Sequence, residues 1–276
     1  MSSRASASST ICLIGAGNMG GAMLAGWLEA GHDPAAITVV DPNPPKLMAD
    51  VIANNGVRHV TSAEQADVPD LVLVALKPQI MEAVLPGLSS LVTSENCLLS
   101  VAAGTPIAKL AAPFAAVSPR IIRAMPNTPA MVQRGITVCV ANEMVTKSQR
   151  TMVSAILTAI GQVEWVDNEA LIDAVTGVSG SGPAYVFHLA EALSEAGIKA
   201  GLPPKLAQEL AKATVSGAGE LMRQSDLSPT TLRENVTSPN GTTAAALEVL
   251  MADDGFPRLL ERAVAAATKR SRELAK

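Results

Sequence analysis

The sequence predicts an α/β domain wound around a parallel sheet, followed by an all-α helical bundle domain. Three observations carry this reading. A glycine-rich turn joins the first apolar run to a helical pattern ("ICLIGAGNMG", residues 11–20). Short apolar runs then alternate with helical stretches as far as about residue 166, and from Glu169 onward only helical spacing continues. Such alternation implies parallel strands joined by right-handed crossovers and covered on both faces. Ligands are then expected at the carboxyl ends of the strands.

In chain order, residues 1–10 ("MSSRASASST") are small and polar and lack the apolar core of a secretory signal, so they read as a disordered tail. Residues 11–168 hold the strand candidates Ile11–Ile14, Ile37–Val40, Leu71–Ala75, Leu98–Val101, Arg120–Arg123 and Ile136–Val140. Helical patterns occupy 18–30, 43–55, 79–90 and 146–160 between them. Residues 169–276 form the helical domain, with three-to-four spacing in Val186, Leu189, Leu193 and Ala196, and again in Leu206, Leu210, Ala213, Gly217 and Leu221. Leu259, Leu260, Ala263, Val264 and Ala267 form a further face. Pro203-Pro204 and Pro229 mark helix starts, because a proline is accommodated in a first turn. These helices are rich in Ala and Gly, so each face buries little area. We expect a homodimer through this domain to complete their core.

Composition excludes several classes of function. Of the 276 residues 48% are hydrophobic and 17% charged, with a net charge of −4. A disordered chain or a nucleic-acid coat does not look like this, and 2% aromatic residues build no base-stacking platform. No apolar run approaches the roughly 18 residues of a membrane span. Cys12, Cys97 and Cys139 are widely spaced in apolar runs, as reduced core thiols of a cytoplasmic protein would be. His32, His59 and His188 are scattered, so neither a metal site nor a histidine-activated nucleophile is expected.

Gly15-x-Gly17-x-x-Gly20 follows a strand and opens a helix, the context of a Rossmann-type dinucleotide-binding fingerprint. Gly15 permits the tight turn, Gly17 lets the backbone approach a pyrophosphate, and Gly20 lets the helix pack on the sheet. Ile14, Asn18 and Met19 flank that contact, and the helix N-terminus supplies N–H donors. Asp41 ends the second strand candidate, about 20 residues further on, where an acid accepts hydrogen bonds from the adenine ribose and repels a 2′-phosphate. It also reads as an Asp-Pro turn, and both readings hold together. The expected cofactor is NADH or NADPH, with the acid leaning towards NADH.

Four later stretches are more specific: "VALKPQ" (Val74–Gln79), "RAMPNTP" (Arg123–Pro129), "GVSGSGPAYVF" (Gly177–Phe187) and "ENVTSPNGTTAAALEVL" (Glu234–Leu250). In this order they resemble the pyrroline-5-carboxylate reductases, over essentially the whole chain after the tail. The resemblance implies reduction of L-1-pyrroline-5-carboxylate, a cyclic imino acid, to L-proline by hydride transfer from NAD(P)H, the final step of proline biosynthesis. Composition leads us to expect no nucleic-acid or membrane partner. The resemblance implies a homodimer that builds towards a decamer of five dimers. It places Ser62 near the adenosine, and Asn127 near the nicotinamide. Ala75, Lys77 and Pro78, at a strand end, would pass the nicotinamide ribose, and Ala102 and Ala103 leave room for the ring. Glu169, Asn235, Ser238, Thr242 and Thr243 would line the imino-acid pocket, with Thr243 as the catalytic residue.

Plain alternatives stand beside several of these residues. Lys77 also suits a surface lysine, Asn127 a rigid turn, Thr242 or Thr243 a helix N-cap, and Glu169 an acid in a helix first turn. Asn240 departs from the family's commoner glycine, and asparagine tolerates the left-handed backbone that the turn needs. A β-hydroxyacid or other imine reductase, and a non-catalytic NAD(P)H-binding regulator, are the other functions this first domain would serve.

Overall fold

The computed structural model describes residues 9–275, so residues 1–8 of the expected tail lie outside them. The tail's last two residues are held to the body. Thr10 donates from its N–H and its hydroxyl to Asp70 Oδ2 (2.8 and 2.9 Å), and His32 Nε2 lies 3.1 Å from the Ser9 carbonyl oxygen.

The chain divides into two compact units. One runs to Gly180 and takes back the segment from Ala267, and the other is Ser181–Ala266. The division thus differs from the expected boundary at residues 168 and 169. Ile172 is buried against Val138 and Val140, and the Ser271 hydroxyl donates to Asp173 Oδ1 at 2.6 Å, so both segments belong to the sheet unit.

In the first unit, strand β1 (Ile11–Ile14) leads into helix α1 (Asn18–Glu29), followed by β2 (Ile37–Val40), α2 (Lys46–Asn54) and β3 (Arg58–Val60). Then come β4 (Leu71–Val74), α3 (Pro78–Val84), β5 (Cys97–Ser100), α4 (Ile107–Ala111) and β6 (Arg120–Met125). The unit continues through β7 (Gly135–Ala141), α5 (Lys147–Thr158), β8 (Gly161–Trp165) and α6 (Leu171–Val175). The eight strands form one sheet in the order β3-β2-β1-β4-β5-β6-β7-β8. Side chains alternate across it: Ile11, Leu13, Leu71 and Leu73 enter a core with Met23, Leu24 and Trp27 of α1. Cys12, Ile14, Val72 and Val74 enter a second core on the opposite face, with Met81, Leu110 and Phe114. Burial on both faces is why these strands read as unbroken apolar runs.

The sheet is not wholly parallel, because β7 runs antiparallel to β6. Only residues 126–134 join the two strands, and they hold a short 3-10 turn, Thr128–Val132. That is too short for a helical crossover, whereas an antiparallel return needs little chain. β3 and β8, unread in the sequence, are the edge strands. Arg58 and His59 are exposed in β3, and Gln162 and Glu164 in β8, so neither presents an apolar run.

The second unit begins with α7 (Gly182–Lys199) and α8 (Pro204–Gln224), joined by a tight turn at Gly201 (φ +102°). Next come α9 (Pro229–Asn235), α10 (Thr242–Leu250) and α11 (Phe256–Leu274), whose last turns lie in the first unit. As expected, α8 and α9 start at Pro204 and Pro229. The described residues contain no strand after β8. The helical faces read from the sequence stay half-exposed in the single chain: Val186, Leu189, Leu193, Leu206, Leu210, Leu221, Leu259 and Leu260 are 37–55% accessible. No described helix is long and apolar enough to cross a membrane.

Candidate active site

The order of strands reverses between β1 and β4, and an open α/β sheet leaves a crevice there at the strand carboxyl ends. The glycine turn follows β1 into that crevice. Gly15 adopts φ +90°, and an added Cβ would lie 2.7 Å from Leu76 Cδ2. A Cβ at Gly20 would collide with the Gly15 carbonyl oxygen, so α1 can pack this closely only with glycine there. Gly17 differs from both. A Cβ there would meet nothing within 4 Å, so no protein packing requires the glycine. It caps α1 without a side chain, and the first-turn N–H groups of a helix lack intrahelical partners. Open space before a bare helix N-terminus fits a pyrophosphate.

Two cavities meet at this turn. The first, about 660 Å3, takes in Ile14, Gly15, Asp41 and Ser62, and the second, about 470 Å3, takes in Asn18, Met19, Pro78, Ala102 and Ala103. Both are lined by Gly17, Ala75 and Lys77. Their sizes suit a small-molecule site, and their common wall suits a ligand that bends over the glycine turn. Of the expected cofactor residues only Gly20 and Asn127 line neither cavity. Gly20 is buried beneath the turn. Asn127 Oδ1 accepts from the Ile136 N–H at 3.0 Å, which pins the 126–134 connection to the start of β7.

Asp41 holds the turn as well as facing the first cavity. Its Oδ2 accepts from the Ala16 N–H at 2.8 Å and its Oδ1 from the Asn43 N–H at 2.9 Å. Each oxygen keeps a further lone pair for a ribose hydroxyl. Thr61 and Glu64 also line this cavity and were missed in the sequence. The turn "TSAEQ" that carries them follows the unread edge strand β3, so nothing marked it as a strand end. Lys77 is exposed, caps α3 and precedes Pro78 at the helix's first position.

The second unit holds four of the expected substrate residues. Asn235 ends α9, and Ser238 begins the turn into α10. Asn240 takes φ +57°, the left-handed conformation expected of it. The N-cap of α10 is Gly241, not a threonine, and it makes no side-chain cap bond. Thr242 and Thr243 therefore occupy the first turn itself, where a helix favours negative charge.

Glu169 lies elsewhere, in the sheet unit. Its Oε1 accepts from Arg123 Nη1 at 2.9 Å and from the Ile107 N–H at 2.8 Å. Arg123 is 4% exposed on β6, and its Nη2 is buried without a hydrogen-bond partner. The pair ties α4 and the α6 approach to the sheet, which sequence spacing did not suggest. Neither residue lines the two cavities.

The thiols offer no nucleophile. Burial pushes Cys12 and Cys139 up to about 12 and Cys97 up to about 11, so all three stay protonated at neutral pH. Among the described residues no three His, Cys, Asp or Glu side chains gather as a metal would need.

Comparison with known proteins identifies the family. Residues 169–274 match the family model for pyrroline-5-carboxylate reductase dimerisation, and residues 10–104 match the NADP oxidoreductase, coenzyme F420-dependent model. A pyrroline-5-carboxylate reductase of Pseudomonas aeruginosa is 41% identical over 272 residues, covering 96% of both chains. The solved reductase of Coxiella burnetii superposes with a TM-score of 0.90 at 36% identity, covering 98% of this chain and 99% of that one. A Plasmodium falciparum pyrroline carboxylate reductase with NADP bound superposes at 0.79 with 28% identity, covering 97% and 98%.

Proposed function

The chain belongs to the pyrroline-5-carboxylate reductase family, and on that premise we propose that it reduces L-1-pyrroline-5-carboxylate to L-proline with NAD(P)H and that the residues below do so. The observation that carries this reading is the open space at Gly17, at the carboxyl ends of β1 and β4 where the strand order reverses. Gly15, Gly17, Asn18 and Met19 would hold the pyrophosphate, Asp41 and Ser62 the adenosine end, and Ala75, Lys77, Pro78, Ala102 and Ala103 the nicotinamide end. When bound, the cofactor supplies a hydride at the nicotinamide ring.

The substrate explains why the site needs no protein nucleophile. A protonated cyclic imine is already a strong electrophile. The chain must orient it with the reacting carbons about 3–3.5 Å apart and exclude water. The first turn of α10 offers N–H groups and hydroxyls to the substrate carboxylate, with Ser238 and Asn235 beside it. Thr243 would hydrogen-bond the ring nitrogen and hold its proton. The half-exposed helical faces support a homodimer through the 169–274 segment, and the resemblance extends this to five dimers. Three free buried cysteines suit a reducing compartment, so we place the protein in the cytoplasm.

The test is loss of reduced-nicotinamide absorbance on mixing the protein with pyrroline-5-carboxylate. Thr243→Ala should lower kcat by about a hundredfold while cofactor affinity holds. Unchanged kcat would remove Thr243 from the mechanism, and no oxidation by folded, cofactor-binding protein would refute the reductase reading. Light scattering should show at least two chains per particle; a monomer would refute the dimer.

A further inference from the structure

We infer that the adenosine end of the crevice selects NADH over NADPH, and that Asp41 and Glu64 make the selection. The inference rests on the cofactor reading above and narrows it.

Asp41 is fixed where a 2′-phosphate would have to sit, at the end of β2. Its two oxygens take the N–H groups of Ala16 and Asn43. Rotating the carboxylate away would strip a partner from the glycine turn itself. A second acid, Glu64, stands in the middle of the 3-10 turn Ala63–Gln65 and lines the same cavity. The Ser62 hydroxyl, and then its own backbone N–H, hold the Glu64 carboxyl below the usual carboxylate range, so it is ionised at neutral pH. A 2′-phosphate carries a charge of roughly −1.5 to −2, and it would meet two carboxylates.

Among the described residues, the nearby cations that could offset this are engaged or placed elsewhere. Among the described residues Lys77 is the only cation lining the cavity, and it also lines the second one, at the nicotinamide end. Arg58 is ion-paired with Asp67 and donates to the Gln65 carbonyl oxygen. His59 Nε2 lies 2.8 Å from the Asp41 carbonyl oxygen. Lys46 begins α2 and does not line the cavity. Neutral donors are also drawn off: Gln65 Oε1 receives the Thr61 N–H, the Thr61 hydroxyl and the Ser62 N–H at 3.0, 3.2 and 3.3 Å. A phosphate nest needs converging free N–H groups or an arginine. A ribose diol needs only acceptors, and Asp41 supplies them.

The experiment is calorimetric titration of the full-length protein with NADH and with NADPH, repeated with ADP-ribose and its 2′-phosphorylated analogue, which probe the adenosine end alone. We expect NADH and ADP-ribose to bind more than tenfold tighter than their phosphorylated counterparts. Glu64→Gln, an exposed substitution that leaves the fold in place, should narrow the ratio about threefold by tightening NADPH. Asp41→Asn keeps one side-chain oxygen for the glycine turn and should narrow it further. Ratios within twofold in the wild type, or tighter NADPH, overturn the selection while leaving the cofactor reading intact. If folded protein binds neither nucleotide, the cofactor reading falls and the selection with it.

Discussion

Removing the charge of Glu169 tests whether this acid holds the sheet unit together or touches the substrate. Its carboxylate is the counter-charge of Arg123, whose side chain is only 5% exposed, while its own is 31% exposed. Breaking a buried ion pair costs about 3–5 kcal/mol, because the remaining charge is stranded. The carboxylate's partial exposure places this pair near or below the bottom of that range. We expect Glu169→Gln to destabilise the unit by about 2–3 kcal/mol, since the amide oxygen still accepts from the Ile107 N–H. Glu169→Ala loses that bond too, adding about 1 kcal/mol. Arg123 Nη2 is buried without a partner, so no second anion takes over. The assay is urea unfolding followed by tryptophan fluorescence. Both tryptophans, Trp27 and Trp165, lie in the sheet unit, so the signal reports the unit in question. Replacing Arg123 by Met in the Gln variant should recover part of the loss, as removing both charges does in other buried pairs. Losses below about 1 kcal/mol in both single variants, with a large rise in KM for the imine, would refute the structural role and return Glu169 to the substrate.

The remaining predictions concern the glycine turn and the buried thiols. Gly17→Ala should lower the urea midpoint only slightly, through the poorer N-cap, because its Cβ meets nothing, yet weaken NADH binding more than tenfold (about 1.4 kcal/mol). Gly20→Ala should lower both stability and binding, because its Cβ strikes the Gly15 carbonyl, and equal stability of the two variants would contradict the packing described. The raised thiols contribute stability that is fully present below their ordinary value near 9 and is lost as pH rises towards 11 and 12. Urea midpoints should therefore fall steadily above that lower value, and replacing Cys139 by Ala should shallow the fall; a flat profile would show that the thiols ionise in place.

Burial sets how much of this could be read from the chain alone. β1 and β2 were legible to the residue, because each is walled by apolar side chains on both faces. The edge strands β3 and β8 were not, since one polar side of an edge strand removes the unbroken run that announces a strand. The antiparallel turn into β7 was also hidden, because strand direction follows from the length and path of a connection, and "PNTPAMVQRG" carries no apolar pattern that fixes it. The glycine turn and Asp41 were legible because backbone geometry restricts which residues can stand there. Glu169 was not: a family motif placed it beside a substrate, and only the fold reveals Arg123 as its partner, 46 positions earlier in the chain.

The helical unit sets a different limit on what one chain can specify. Within Ser181–Ala266 the buried side chains among the described residues are small ones, Ser194, Ala207 and Ala211, while Phe187 and Val249 are 65% and 72% exposed. The large apolar side chains of this unit stay partly exposed, so at about 25 cal/mol per Å2 of apolar surface the single chain leaves part of their stabilising burial unrealised. The rest of the stabilising burial must be contributed by whatever covers these faces, and the proposed homodimer covers them with copies of themselves. The first turn of α10, where Thr242 and Thr243 stand, belongs to this under-buried unit. The position of the proposed proton-holding hydroxyl is then a property of the assembled dimer, and the crevice at Gly17, carried by a sheet unit with two cores of its own, is not.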